Sequence, residues 1–266
     1  MLDVNLEIPA VEVCDLTIGY GDRVILQHLN FTLKKGDITA ILGGSGSGKS
    51  TLLKHLIGLY RPLQGIVKIE GVVFNPADED VRLSIYKKIG VAYQGGALLR
   101  SLTVFENTAF PLQEKTTLTS EQIREKVMQK LQMVQMETFA DYYPADLSGG
   151  MIKRAAIARA MALDPSILFL DEPSAGLDPV SSAQLDQLIL SVRNEHNTTV
   201  VLVTHELPSI FTVADRVLMI DSREKGIAAD GNPVSLRKYS NNQWVHDFLN
   251  RQIPSENEVT AKTRED

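Results

Sequence analysis

At 266 residues with 44% hydrophobic side chains, the chain can bury one large core, or a core with a subdomain. Its 27 Lys and Arg against 33 Asp and Glu leave a net charge of -6, which argues against a protein that coats nucleic acid. Cys14 has no second cysteine to pair with, no apolar run approaches the ~18–20 residues of a membrane span, and residues 1–5 lack the features of a signal peptide, so the expected compartment is the cytoplasm.

Short strands are predicted at 11–16 and 25–33, with a turn at Gly19-Tyr20-Gly21-Asp22 between them. The run Ile38-Thr39-Ala40-Ile41-Leu42 reads as a buried strand, and residues 43–51 directly after it are GGSGSGKST. This meets G-x-x-x-x-G-K-[ST] in its proper setting, a strand turning into a helix that starts near Lys49. Gly43, Gly44, Gly46 and Gly48 let the backbone bend so that its N–H groups face phosphate oxygens, with Ser45 and Ser47 between them. The helix start adds its positive end. Lys49 then reaches the β- and γ-phosphates, Ser50 offers its hydroxyl to Mg²⁺, and Thr51 completes the motif. The pattern predicts a nucleoside triphosphate site.

Ile66-Val67-Lys68-Ile69 alternates into Gly71, another predicted strand. From Gln94 to Ala162 no buried strand is legible. Thr119 and Gln122 fit a capping box, and Ile123, Val127, Leu131 and Val134 then recur at helical spacing. Met128, Met133 and Met136 read as gap-filling core rather than as a binding surface. Leu147-Ser148-Gly149-Gly150 opens a helix that carries Lys153, Arg154 and Arg159. Two glycines there allow another molecule to approach, and free N–H groups bind anions, although taken alone an ordinary Ser cap explains the pattern better.

The runs 167–170, 200–203 and 217–220 suit buried parallel strands, with a helix at 181–195 between them. The first ends in Asp171 and Glu172. A solvated turn would end the same way, but the phosphate loop upstream favours chemistry: Asp171 holding Mg²⁺ through water, and Glu172 polarising the attacking water as general base. Beyond Asn241, Trp244, Phe248 and Leu249 suggest one short amphipathic helix, and residues 255–266 a disordered charged tail.

In this order the motifs resemble those of the nucleotide-binding subunit of ATP-binding-cassette (ABC) transporters, across residues 10–232. Residues 43–51 resemble its Walker A loop, 167–172 its Walker B strand, and 147–151 its signature motif. Gln94 stands where the family has its Q-loop glutamine, residues 174–178 resemble the D-loop, His205 matches the switch histidine, and Tyr20 lies where an aromatic stacks on adenine. Read without the resemblance, Tyr20 is a packed turn residue, His205 a strand-end histidine and Gln94 a surface residue.

The resemblance implies an α/β P-loop NTPase core with a parallel sheet, an N-terminal antiparallel β part and an inserted α-helical subdomain. The expected division is a RecA-like core at 1–94 and 161–240, a helical subdomain at 95–160, and a C-terminal helix with a tail at 241–266. ATP and Mg²⁺ are the implied cofactors, the metal held by Ser50, Gln94 and Asp171. Catalysis would fall to Glu172, His205, Lys49 and Gln94, with two copies pairing head to tail so that Ser148, Gly149 and Gly150 of one complete the phosphate site of the other.

Met151, which follows the two signature glycines, together with the stretches 95–99, 102–107 and 110–112, resembles the ATPase of Mla-type phospholipid transporters. That subfamily implies an integral membrane permease docked near 95–112, a small regulatory subunit, a periplasmic lipid-binding subunit, no nucleic acid, and a place on the cytoplasmic face of the inner membrane. Gly44 departs from the proline of much of the subfamily. The regulatory subunit could engage Trp244, Phe248 and Leu249, although packing on the core is the favoured reading for them. The competing functions are an importer of a polar solute, and a soluble ABC ATPase of translation or DNA repair. A single cassette without sustained heptads speaks against the last.

Overall fold

The computed structural model describes residues 7–252. β1 (Val11–Tyr20) and β2 (Arg23–Leu33) form an antiparallel hairpin closed by the pair Tyr20 and Arg23. Gly21, at φ 53, takes the left-handed conformation that a two-residue hairpin turn needs. The turn is thus shorter than predicted: Gly19 and Tyr20 belong to the strand, and a Cβ on Gly19 would meet the Arg23 carbonyl oxygen at 2.0 Å. β4 (Gln64–Ile69) and β5 (Val72–Val73) complete a four-stranded sheet in the order β2-β1-β4-β5.

A second sheet holds β3 (Ile38–Gly43), β6 (Ile89–Ala92), β7 (Ile167–Asp171), β8 (Thr199–Val203), β9 (Arg216–Asp221) and β10 (Gly226–Gly231). Their order is β10-β9-β3-β8-β7-β6, parallel except at β10. The central strands are covered on both faces, which explains their continuous apolar runs. Ile167 and Phe169 point toward the antiparallel sheet and α1 (Lys49–Leu56), while Leu168 and Leu170 point into a helical layer on the other side.

That layer comes mainly from the chain between β6 and β7, where no strand forms. After α2 (Glu79–Tyr86), which precedes β6, come α3 (Val104–Lys115), α4 (Ser120–Met133) and α5 (Gly149–Ala160), joined in the layer by α6 (Pro179–His196). The predicted capping box is present: the Thr119 hydroxyl accepts from the Gln122 amide, and the Gln122 side chain accepts from the Thr119 amide. Ile123, Val127, Leu131 and Val134 are buried, and Met128, Met133 and Met136 fill gaps in the same cluster.

α7 (Leu207–Val213), α8 (Pro233–Tyr239) and α9 (Gln243–Asn250) follow. Trp244, Phe248 and Leu249 on α9 pack against Ala40, Leu42, Val217 and Met219, so this helix docks on the core. The expected tail at 255–266 lies outside the described residues. Among the described residues no helix is long and apolar enough to cross a membrane.

One ion-pair network ties α4 to the loop after α5. Asp164 accepts from Lys126 at 2.6 Å and from the buried Lys130 at 2.5 Å. Burial pushes the Asp164 carboxyl up, but the bonds from Lys126 and Lys130 outweigh it and hold the carboxyl below its ordinary value. Asp164→Asn suits the local φ of 53 yet leaves the Lys130 ammonium unpaired. We expect a loss of about 1 kcal/mol, reduced by the half-exposed position of Asp164. A depressed carboxyl contributes above its unfolded value and ceases to as pH falls through its folded value. Denaturant melts should therefore show the deficit in full at pH 7 and a shrinking one below the ordinary carboxylate range.

Candidate functional site

Four neighbouring parallel strands, in the spatial order β3-β8-β7-β6, end on the same edge of the sheet. Beyond their carboxyl ends lie the glycine-rich loop, His205, Asp171 with Glu172, and Gln94 respectively. Crevices outside the carboxyl ends of parallel strands are where open α/β sheets bind ligands.

The loop after β3 needs its glycines for two different reasons. A Cβ on Gly43 would meet the Ile220 carbonyl oxygen at 2.5 Å. Gly48 holds φ 101, and a Cβ there would come within 2.8 Å of Ile25. Because Gly48 is the N-cap, α1 begins without a side-chain cap and without acidic residues in its first turn. Its leading N–H groups stay available to an anion. Lys49, buried beneath the loop, donates to the carbonyl oxygens of Gly43 and Gly44, each at 2.9 Å. Burial pushes its pKa down, against the pull of Glu172 and Asp171. A buried ammonium held by two carbonyls gains by turning to phosphate oxygens, so the cradle fits a polyphosphate.

Ser50 donates to Asp171 at 3.4 Å. Burial raises the Asp171 carboxyl above its ordinary value, and the neighbouring Glu172 charge adds to the rise. Such a pair of oxygens, one of them on a destabilised carboxylate, fits a hard cation. Glu172 is buried and its backbone is left-handed at φ 47. Its Oε1 bonds to His205 Nδ1 at 2.9 Å, while its Oε2 is buried with no partner among the described residues. The His205 ring is itself 61% exposed, so it joins the buried carboxylate to the open crevice.

Tyr20 stands at the mouth of the loop, 44% exposed, with its hydroxyl 3.1 Å from the Thr51 hydroxyl. Tyr60 meets its ring edge-on at 5.4 Å, a contact that nothing in the local sequence pattern announces. Gln94 enters the site through its backbone: the buried Lys153 donates to the Gln94 carbonyl and, at 3.2 Å, to that of Glu172. Arg159 holds the same loop through the carbonyls of Gly96 at 2.9 Å and Ala97 at 2.6 Å. These two basic residues were legible only as members of the helix after Gly150; their partners on the loop after β6 are more than fifty residues away in the chain, and Glu172 is nineteen away.

Ser148, Gly149 and Gly150 are not brought to the loop. Ser148 caps α5 by accepting from the Met151 amide at 3.3 Å. A Cβ on either glycine would meet only Leu177, at 3.9 Å. Among the described residues no hydrogen bond joins this helix start to the phosphate loop. The Met151 side chain packs against the helical core.

A phosphate cradle, a strand-end Asp-Glu pair and a histidine just past the end of the neighbouring strand define a P-loop ATPase. The family profile described as ABC transporter matches residues 26–175. The chain is 39% identical over 226 residues to the intermembrane phospholipid transport system ATP-binding protein MlaF of Haemophilus influenzae, covering 85% of each chain. It is 41% identical over 211 residues to the probable ribonucleotide transport ATP-binding protein mkl of Mycobacterium leprae, covering 79% of this chain and 61% of that one. It thus spans about three fifths of the length of that mycobacterial relative. The ATP-binding cassette MJ0796, solved as a dimer in a post-hydrolysis state with ADP and Pi, superimposes with a TM-score of 0.76 at 31% identity, over 84% of this chain and 98% of its own. The chain belongs to the ABC transporter family, as an ATP-binding cassette.

Proposed function

We propose that this chain is the ATP-hydrolysing subunit of a membrane transporter that moves phospholipid between membranes. The observation that carries the cargo is the similarity to MlaF, which extends over 85% of both chains. Hydrolysis is supported by the buried Glu172 carboxylate, oriented by His205 beside the lysine of the phosphate loop.

Residues 43–51 would hold the triphosphate, with Lys49 leaving its two carbonyls for phosphate oxygens. Tyr20 presents its exposed ring to adenine. Ser50, Asp171 and Gln94 would hold Mg²⁺, which when bound neutralises developing charge on the phosphates. Among the described residues no cluster of three or more His, Cys, Asp or Glu side chains could bind a metal by itself, so phosphate oxygens would complete its shell. Glu172 would take a proton from the attacking water, and His205, sharing a hydrogen bond with it, would face the terminal phosphate. The open helix start at Ser148, Gly149 and Gly150 would serve the site of a second copy. A dimer glued by ATP and released by hydrolysis is the two-state element that could move a partner.

We place the helical unit at 95–160 and a permease on the cleft it borders. This cleft, about 350 Å³, is lined by Phe110 and Pro111 of α3 together with Leu83, Tyr86 and Arg159. In the proposed assembly the chain sits on the cytoplasmic face of the inner membrane, alongside a regulatory subunit and a periplasmic lipid-binding subunit.

The test is purification of the chain from its native membranes in mild detergent, with mass spectrometry of proteins and lipids. A multi-span permease with a lipid-binding subunit and bound phospholipid supports the proposal. A solute permease without lipid-binding partners would favour the second reading, import of a polar solute. Recovery of ribosomes or repair proteins alone overturns both.

Tyr20→Ala should weaken ATP binding by roughly tenfold, the scale of one lost aromatic stack on a base, while Tyr20→Trp retains it. Titration with a fluorescent ATP analogue measures both. Because Tyr20 is substantially exposed, equal melting temperatures are expected for the two variants.

A further inference from the structure

Lys153 is 8% exposed and stands one turn along α5 from Gly149. A buried ammonium is costly unless it is held, and carboxylates do not hold this one directly. Its hydrogen bonds go to two backbone carbonyls, those of Gln94 after β6 and Glu172 after β7. Burial pushes the Lys153 amine down, and the charges of Glu172, Asp171 and Glu206 act against that fall.

The Glu172 end of this link is under constraint. A residue with a side chain stays in a left-handed conformation only where its surroundings fix it. Three backbone contacts do so here: the Glu172 amide donates to Val203 at 2.8 Å, and its carbonyl accepts from Ala175 at 3.2 Å and from Lys153 at 3.2 Å. The Lys153 bond is the charge-assisted one. It is also the one that arrives from the helix whose start presents Ser148, Gly149 and Gly150. Arg159, two turns on, grips Gly96 and Ala97 but is not bonded to Glu172. The loop thus keeps an anchor to α5 without Lys153, whereas the Glu172 carbonyl does not.

We infer that Lys153 is a positioning residue for ATP hydrolysis, coupling the anion-facing start of α5 to the backbone that aims the Glu172 carboxylate. Its effect passes through the Glu172 main chain, and the inference rests on Glu172 being the general base.

Lys153→Met keeps the aliphatic stem and removes the charge and the donors; Lys153→Arg keeps a charged donor. In the full chain we expect Lys153→Met to hold its ATP affinity within about twofold while kcat falls at least about tenfold, and Lys153→Arg to recover at least about a third of the wild-type rate. Lys153→Met combined with Glu172→Gln should be no slower than Glu172→Gln alone, as expected for residues acting as one unit. A wild-type kcat in Lys153→Met beside a slow Glu172→Gln would overturn the inference and leave the Glu172 reading intact. A parallel fall in ATP affinity, melting temperature and kcat, without recovery by Arg, would reduce Lys153 to a buried carbonyl cap and also overturn it. A wild-type rate in Glu172→Gln would remove the reading on which the inference stands. Should Lys153→Met fail to fold, Lys153→Gln, which removes the charge and is one bond too short for the same carbonyl contacts, is judged by the same criteria.

Discussion

Glu172→Gln should bind ATP with about wild-type affinity and hydrolyse it at least ~10²-fold more slowly, the scale of a lost general base. The substitution is nearly isosteric. It preserves the left-handed backbone, the Glu172 amide bond to Val203 and the carbonyl bond from Lys153, all of which are main-chain features. What disappears is the basic oxygen: Oε2, buried with no partner among the described residues, can no longer take a proton from water. The phosphate cradle lies on a different strand end and is untouched, so affinity and turnover should separate. Equilibrium binding of a fluorescent ATP analogue, together with steady-state phosphate release, reads the two quantities independently. A near-normal rate would refute the assignment of Glu172.

Gly149→Asp should move stability and activity in opposite directions. Gly149 is the first residue of α5, and a side chain there meets nothing closer than Leu177 at 3.9 Å. Replacing glycine in a helix removes an entropic cost, and a carboxylate in the first turn complements the helix dipole. Together these are worth about 1 kcal/mol, or a rise of about 2–4 °C in Tm for a chain of this size. Nothing among the described residues needs a glycine here. If the need comes from the terminal phosphate of an ATP held by a second copy, the new charge repels that phosphate. Turnover should then fall at least ~10²-fold, comparable to removing a donor from a transition-state oxyanion site. ATP-dependent dimerisation, followed by size-exclusion chromatography with light scattering, should vanish as well, while ATP binding to the chain's own loop persists. A stable, active, dimerising Gly149→Asp would show that this helix start faces no phosphate.

Both expectations draw on residues whose types were legible in the sequence, but the two sites were legible to different degrees. The phosphate loop was complete in nine consecutive residues, because strand, turn and helix start are consecutive in the chain and the left-handed backbone there falls on Gly46 and Gly48. The capping box at Thr119 and the buried periodicity after it were likewise local, and the helix formed where they placed it. The hairpin turn was overdrawn at Gly19 and Tyr20, because strand pairing with Arg23 and Val24 outweighs the turn preference of a glycine. Lys153, Arg159 and Tyr60 carried no local signal. A lysine in a helix looks the same whether it faces water or two distant carbonyls.

The amino-acid sequence by itself determined the nucleotide cradle, the alternation of buried strands and helices, and the presence of an Asp-Glu pair at a strand end, since each of these is written within a few residues. Only the tertiary structure decided which of them meet. The insertion of β8 between β3 and β7 brings His205 to Glu172 at 2.9 Å and leaves Asp171 within reach of Ser50. Sheet order also turned α5 so that Lys153 points inward to Gln94 and Glu172 while Gly149 and Gly150 remain open. The physical reason is range: turns, caps and periodicity are settled by neighbours in sequence, whereas strand order and helix rotation are settled by burying faces against partners a hundred residues away.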